Sequence, residues 1–258
     1  MKIIVLMKQV ANKDAVLRIA GDEKWINEAD VAQQTNESDG YALEEALRTV
    51  EAKGEGEVVV CTLGSAGAKT VIKDALARGA NRAIHIVVED SKTLSSYQIA
   101  KTIADAIREE NADLVFTGLQ SDDASYGQTG VILAELLGIP HATIVIEVDR
   151  ASLGETLRVK RELESGWYQW FTYQLPALMT IQSGISQIRY ASLKGIMAAK
   201  SKEVREVTPS IEAFAAAATV NKVYMPLKTK QTQMLGNGDA KAGAVELVEK
   251  LKTEARVI

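Results

Sequence analysis

The sequence predicts a three-layer, doubly wound α/β fold around a mostly parallel, Rossmann-like sheet, extended by an antiparallel hairpin and a C-terminal arm. Three observations lead there. Up to about residue 150, apolar β-branched runs of strand length alternate with amphipathic stretches of helical length, the pattern of a parallel sheet covered on both faces. Gly54, Gly79 and Gly138 stand where helices should stop, because glycine alone enters the left-handed region without steric cost. After residue 149 the strand-like runs follow one another without helices between them, as hairpins do.

Taken in order, the parallel strands fall at 3–7, 57–63, 83–88, 114–117 and 142–148. Ala42, Leu43, Ala46, Leu47 and Val50 mark one helix face, with Asn36 or Ser38 as N-cap and Gly54 past the end. Val71, Ile72, Ala75 and Leu76 mark a second, closed by Gly79. A third carries Ile99, Ile103, Ala106 and Ile107; a fourth carries Val131, Leu133, Ala134 and Leu137 and stops at Gly138 before Pro140. Strands at 157–163, 167–173 and 177–182 are separated by Glu164-Ser165-Gly166 and Gln174-Leu175-Pro176, the first two pairing antiparallel to leave a mixed sheet. Polarity rises beyond Ser183. The stretch 213–218 has weak periodicity, 228–242 is rich in Lys, Gln, Thr and Gly and cannot build a core, and a last amphipathic helix covers 245–251. The predicted division is an α/β domain at 1–200, with the hairpin at 156–173, and an arm at 201–258 that lies along a partner.

With 258 residues, 47% hydrophobic and 25% charged, the chain has ordinary globular composition. A net charge of −4 argues against a nucleic-acid groove. No run reaches the roughly 18 apolar residues of a membrane helix, and the first residues read as a strand without a signal-peptide pattern, so the expected compartment is the cytoplasm. Cys61, the single cysteine, sits in an apolar run as a small buried hydrophobe. His85 and His141 have no metal-ligand spacing, and no nucleophile stands with a base, so the chain reads as a non-enzyme without a metal site. The phosphate-loop and Gly-x-Gly-x-x-Gly fingerprints are both absent; Gly64-Ser65-Ala66-Gly67 is a strand-to-helix turn.

The informative segment runs from Gly118 to Gly130, between a buried strand and the fourth helix. A polar, glycine-punctuated loop there offers backbone N–H groups and the positive end of a helix dipole to a phosphate. In a doubly wound sheet the ligand lies beyond the C-terminal ends of the strands, where the turns after strands one, two and four converge with the 36–39 helix entrance. Ser125, Gln128 and Thr129 are side chains suited to the phosphate. Asp122 and Asp123 either cap the loop from outside or reach ribose hydroxyls or loop amides.

At these residues the chain resembles the β subunit of electron transfer flavoproteins. The matching pieces occur in the family's order: Val5-Leu6-Met7-Lys8-Gln9-Val10, the 36–45 helix entrance, 118–130, Val159-Lys160-Arg161-Glu162-Leu163-Glu164-Ser165-Gly166, Pro176-Ala177-Leu178-Met179-Thr180 and 189–197. The resemblance implies an electron carrier: a heterodimer whose α subunit holds most of a redox-active FAD, while the β subunit braces it and binds AMP. It places AMP contacts on Leu6, Asn36, Glu37, Ser38, Asp39, Leu63, Ser121, Asp122, Asp123, Ala124, Ser125, Tyr126, Gly127, Gln128 and Thr129, and puts Glu162 near the partner-held FAD. Leu193, with Ile196 and Met197, corresponds to a loop that docks into a flavin dehydrogenase. Taken alone, that spacing suits either an apolar anchor or a buried helix face. Trp167, Tyr168, Trp170 and Tyr173 form either an intersubunit surface or the core face of the hairpin.

Two alternatives follow. A second FAD in place of AMP would make an electron-bifurcating complex, against which the bulky Tyr126 ring in Asp123-Ala124-Ser125-Tyr126 argues. A stand-alone ATP-binding α/β domain would need a glycine-rich triphosphate loop with metal ligands, of which the sequence has no clear example.

Overall fold

The computed structural model describes residues 1–29, 31–209, 220–227 and 232–258. The expected periodic run at 213–218 and the start of the polar 228–242 segment lie outside the described residues. Two compact units emerge, Met1–Lys222 and Val223–Ile258.

In chain order the first unit contains β1 (Lys2–Leu6), β2 (Gln9–Ala11), β3 (Gln33–Thr35), α1 (Glu37–Lys53), β4 (Glu57–Gly64), α2 (Lys69–Arg78), β5 (Arg82–Val87), α3 (Ser96–Ile107), β6 (Leu114–Gly118) and α4 (Thr129–Leu137). It continues with β7 (His141–Asp149), β8 (Thr156–Glu162), β9 (Tyr168–Gln174), β10 (Ala177–Ile181), α5 (Leu193–Ala199) and β11 (Val204–Val207). Nine strands form one sheet in the order β11-β5-β4-β1-β6-β10-β7-β8-β9. All neighbours are parallel up to β7; β8 and β9 then add antiparallel, as the hairpin reading requires.

Alternation along each strand decides which helices cover which face. Ile3, Val5, Val58, Val60, Leu114 and Phe116 pack with α1 and α2, whereas Ile4, Val59, Cys61, Ile84, Ile86 and Val115 pack with α3 and α4. The result is the three-layer, Rossmann-like architecture. Phe116 is fully buried, and truncation of such a side chain costs about 3–5 kcal/mol. All three glycine stops hold: Gly54, Gly79 and Gly138 follow α1, α2 and α4 with φ of 79°, 139° and 70° and close the final turns with their N–H groups.

Two features were not legible locally. β10 inserts between β6 and β7, although it follows them in sequence. β11 adds a parallel edge strand at Val204–Val207, so the sheet runs past residue 200, where polarity suggested the arm begins. Its charged residues face ion partners: Arg205 pairs with Glu110 (2.9 Å) and Glu206 with Lys69 (2.7 Å).

The second unit carries α6 (Ala240–Lys250), capped by Asp239 Oδ1, which accepts from Lys241 N–H at 2.8 Å. No residue of α6 is buried, and Val245, Leu247 and Val248 are exposed. No helix among the described residues is long and apolar enough to cross a membrane.

Candidate functional site

β1 and β6 pair in parallel only as far as Val5 and Phe116. Beyond that point β1 stays with β4, Met7 N–H donating to Cys61 O, and β6 stays with β10, Leu119 N–H donating to Ile181 O. The strands part because the chain winds to opposite sides of β1 in its two halves, which opens a crevice at the switch point. Asp39, in the first turn of α1, bridges the gap. Its Oδ2 accepts from Lys8 N–H (2.8 Å) and its Oδ1 from Gly118 N–H (3.0 Å), satisfying both amides beyond the ladder.

Burial pushes the Asp39 carboxyl up to about 7, against those two amides, Asn36 and the Lys8 charge, all of which pull it down. The folded state therefore holds the proton that the unfolded chain releases at its ordinary 3.8, and stability contributed by Asp39 is lost as pH rises through that window. Asp39→Asn offers one acceptor where two N–H groups need one each, and is expected to cost about 1–3 kcal/mol. It should also remove this part of the pH slope between about pH 4 and 7, read by urea unfolding at several pH values; an unchanged slope would refute the assignment.

Asn36 occupies the N-cap position, but its side chain does not cap α1 as the sequence pattern suggests. It is buried, donating from Nδ2 to Gln120 O (3.0 Å) and Ser38 Oγ (3.1 Å), and accepting at Oδ1 from Asp122 N–H (2.8 Å). Ser38 Oγ also donates to Gln120 O at 2.8 Å. In return Asp122 Oδ2 accepts from Glu37 N–H (3.1 Å), so the loop after β6 caps the helix after β3. Asp123 lies against the Lys8 ammonium at 2.6 Å. Burial opposes its ionisation, but Lys8, Ser121 and the Ala124 N–H outweigh that and hold it below the usual carboxylate range. Both aspartates are thus engaged in holding the loop, and the Asp123 charge is neutralised.

Ser121 knots the loop: its carbonyl accepts from Ser125 N–H (2.9 Å) and Ser125 Oγ (3.1 Å), while its hydroxyl accepts from Ala124 N–H (3.4 Å). Ser125 and Gly127 take positive φ, 53° and 61°, and Tyr126 between them is exposed. The Ser125 hydroxyl proton is therefore spent inside the loop. Gln128 stands at the start of α4 without capping it, and neither Gln128 nor Thr129 makes a side-chain hydrogen bond among the described residues. The first-turn amides of α4 thus carry no side-chain cap. Gly130 lets this helix end approach the sheet closely, since a Cβ there would meet Thr117 Oγ1 at 2.8 Å. Leu6 and Leu63 belong to the same apolar face as Leu133 and Ala134 of α4. A helix end without a side-chain cap, above an apolar face that also carries Leu6 and Leu63, is chemically suited to the phosphate and base of an adenine nucleotide.

A separate cleft of about 480 Å³, lined by Lys13, Gln34, Thr35, Thr70, Arg78 and others, shares only Glu37 with this site. Among the described residues no cluster of His, Cys, Asp and Glu is arranged to hold a metal. His85 is buried, its Nε2 between the Gly64 and Ser65 carbonyls at 3.2 Å. Burial pushes the Cys61 thiol up to about 12, which leaves it inert.

The hairpin divides its aromatics. Tyr173 packs against the core, Trp167 and Tyr168 are exposed, and Trp170 lies half-buried under the Arg158 guanidinium, 4.5 Å from the ring centroid. Glu162 ends β8 opposite Tyr168, far along the sheet from the crevice strands. On α5 no residue is buried; Leu193 is 83% exposed, Met197 64% and Ile196 46%, so these three are not a core face.

Residues 24–212 match the family described as the electron transfer flavoprotein domain. The mitochondrial electron transfer flavoprotein subunit beta of Oryza sativa subsp. indica is 35% identical over 263 residues, covering 100% of both chains. The electron transfer flavoprotein subunit beta of Methylophilus methylotrophus is 30% identical over 262 residues, 98% of this chain and 99% of its own. That of Homo sapiens is 32% identical over 211 residues, 81% of this chain and 82% of its own.

Proposed function

Because the chain belongs to the electron transfer flavoprotein β-subunit family, we propose that it pairs with an α subunit as a heterodimeric carrier between flavin dehydrogenases and a further redox acceptor. The observation that supports its share of the task is the uncapped start of α4, packed through Gly130 against the end of β6 where the strands part. In this reading the crevice holds AMP as a structural ligand. Backbone amides at 127–131, with Gln128 and Thr129, take the phosphate; Leu6 and Leu63 border the base; Asn36, Ser38 and Asp39 hold the walls together. FAD, held mainly by the α subunit, supplies the redox chemistry, and this chain contributes position and electrostatics, Glu162 among the residues nearest the flavin. A cytoplasmic location is part of the proposal, in keeping with a lone buried cysteine that forms no disulfide. The second unit, with its exposed apolar residues on α6, is proposed to lie on the α subunit.

The α5 surface is the proposed contact for the dehydrogenase. Leu193→Ala removes an exposed apolar anchor, so it should leave stability and flavin content unchanged while raising the KM for the carrier about tenfold in dehydrogenase-driven reduction. Equal KM values in variant and parent would refute the docking role.

A further inference from the structure

A helix of seven residues with none buried does not hold its shape by itself. Something else fixes α5, and the structure shows what. Ser192 Oγ accepts from Gly195 N–H (3.0 Å), and a Cβ at Gly195 would come within 2.2 Å of Ala77 O, so the helix sits directly on α2. Behind it, Lys202 Nζ donates to Leu76 O (2.8 Å) and Ala80 O (2.6 Å) at the end of α2. In front of it stands Arg189. Its backbone N–H and Nε donate to Glu44 Oε2 (3.1 and 2.9 Å), its Nη2 to Glu44 Oε1 (3.1 Å), and its Nη1 to Glu51 Oε1 (2.5 Å).

We propose that Arg189 is a positioning residue for partner docking: forked between Glu44 and Glu51 of α1, it fixes the chain entering α5 and presents Leu193, Ile196 and Met197 as a preformed apolar anchor. The inference rests on the docking role of α5 proposed above. Glu44 gives the clamp its persistence. Its side chain is 2% exposed, and a buried carboxylate deprived of a cation is strongly disfavoured. Arg48 shares the load, pairing with Glu44 Oε1 (2.7 Å) and donating from Nη2 to Gln187 O (2.9 Å). Burial works against the charge on Glu44, but Arg189 and Arg48 outweigh it and hold its carboxyl below the usual range. Lysine cannot replace this arrangement, since one ammonium does not form two forks. Preforming the anchor spares the ordering cost at encounter, and the apparent affinity scales with the fraction of chains that carry the competent shape.

The test uses the intact α/β complex and a flavin dehydrogenase selected for its ability to reduce the wild-type complex. Arg189→Gln is expected to raise the KM for the carrier about tenfold, with kcat, flavin content and the rate of reduction by dithionite unchanged, and to speed hydrogen exchange of amides 195–200. Arg189→Lys should rescue part of the loss. Glu51→Gln, at the exposed end of the fork, should raise KM about threefold and serves where the arginine variant does not fold. Unchanged KM and exchange in Arg189→Gln, or in Glu51→Gln if that alone folds, overturn the clamp. If Leu193→Ala raises KM while the clamp variants do not, the clamp alone falls; if Leu193→Ala is also silent, the docking reading falls with it.

Discussion

Gly118→Ala is expected to empty the crevice of nucleotide and to destabilise the fold by about 2–5 kcal/mol. The added Cβ would lie 2.2 Å from Ser38 Oγ, 2.3 Å from Asp39 Oδ1 and 2.9 Å from the Asp39 backbone nitrogen. The last of these cannot be relieved by a rotamer change, so α1 must shift as a unit. That shift pulls Asp39 away from Lys8 N–H and Gly118 N–H, and Asn36 away from Gln120 and Asp122, at the point where two strands already lack each other's hydrogen bonds. Overpacking and the loss of buried hydrogen bonds then add. Gly21→Ala is the control, with nothing within 4 Å of its Cβ, and should fall within about 0.5 kcal/mol of the parent. Urea unfolding and nucleotide extraction on both variants check the claim; a Gly118→Ala protein as stable as the control and still loaded would contradict it.

The second large effect has opposite signs in its two readouts. Gln128→Glu changes no volume but places a negative charge at the uncapped start of α4. In the isolated chain that charge complements the helix dipole, and stability should rise by about 0.3–1 kcal/mol. In the complex it stands where the phosphate is proposed to bind. Repulsion of about 4 kcal/mol between unit charges about 4 Å apart near a protein surface lowers nucleotide affinity on the order of 1,000-fold. A merely structural loop would show the first change without the second. Equal nucleotide content in parent and variant would therefore move the phosphate away from α4.

Much of this architecture is legible in the sequence because it depends on local patterns. The runs at 3–7, 57–63 and 114–117 are β-branched and apolar enough to be strands whatever surrounds them, and Gly54 and Gly138 end helices by their own conformational freedom. The hairpin followed from Glu164-Ser165-Gly166, where Ser165 and Gly166 take positive φ. What stayed hidden depends on distant partners. Val204–Val207 is a strand because β5 offers it a parallel edge and Lys69 and Glu110 offer it charges, and none of those is visible in Val-Arg-Glu-Val itself. Likewise the loop after β6 could be recognised as polar and glycine-marked. That Asp122 caps a helix 85 residues away and Asp39 bridges two strands could not, since these bonds exist only once the switch point has formed. Glu44 hides for a further reason. Its position on α1 suggests solvent, and only the return of the chain at Arg189 makes a buried carboxylate there tolerable.

The switch-point crevice is proposed as a nucleotide site distinct from the flavin site. Mass spectrometry of the small molecules released on mild denaturation of the purified α/β complex tests it most directly. One FAD and one AMP per heterodimer are expected. FAD alone, two FAD molecules without AMP, or ATP in place of AMP would contradict that assignment.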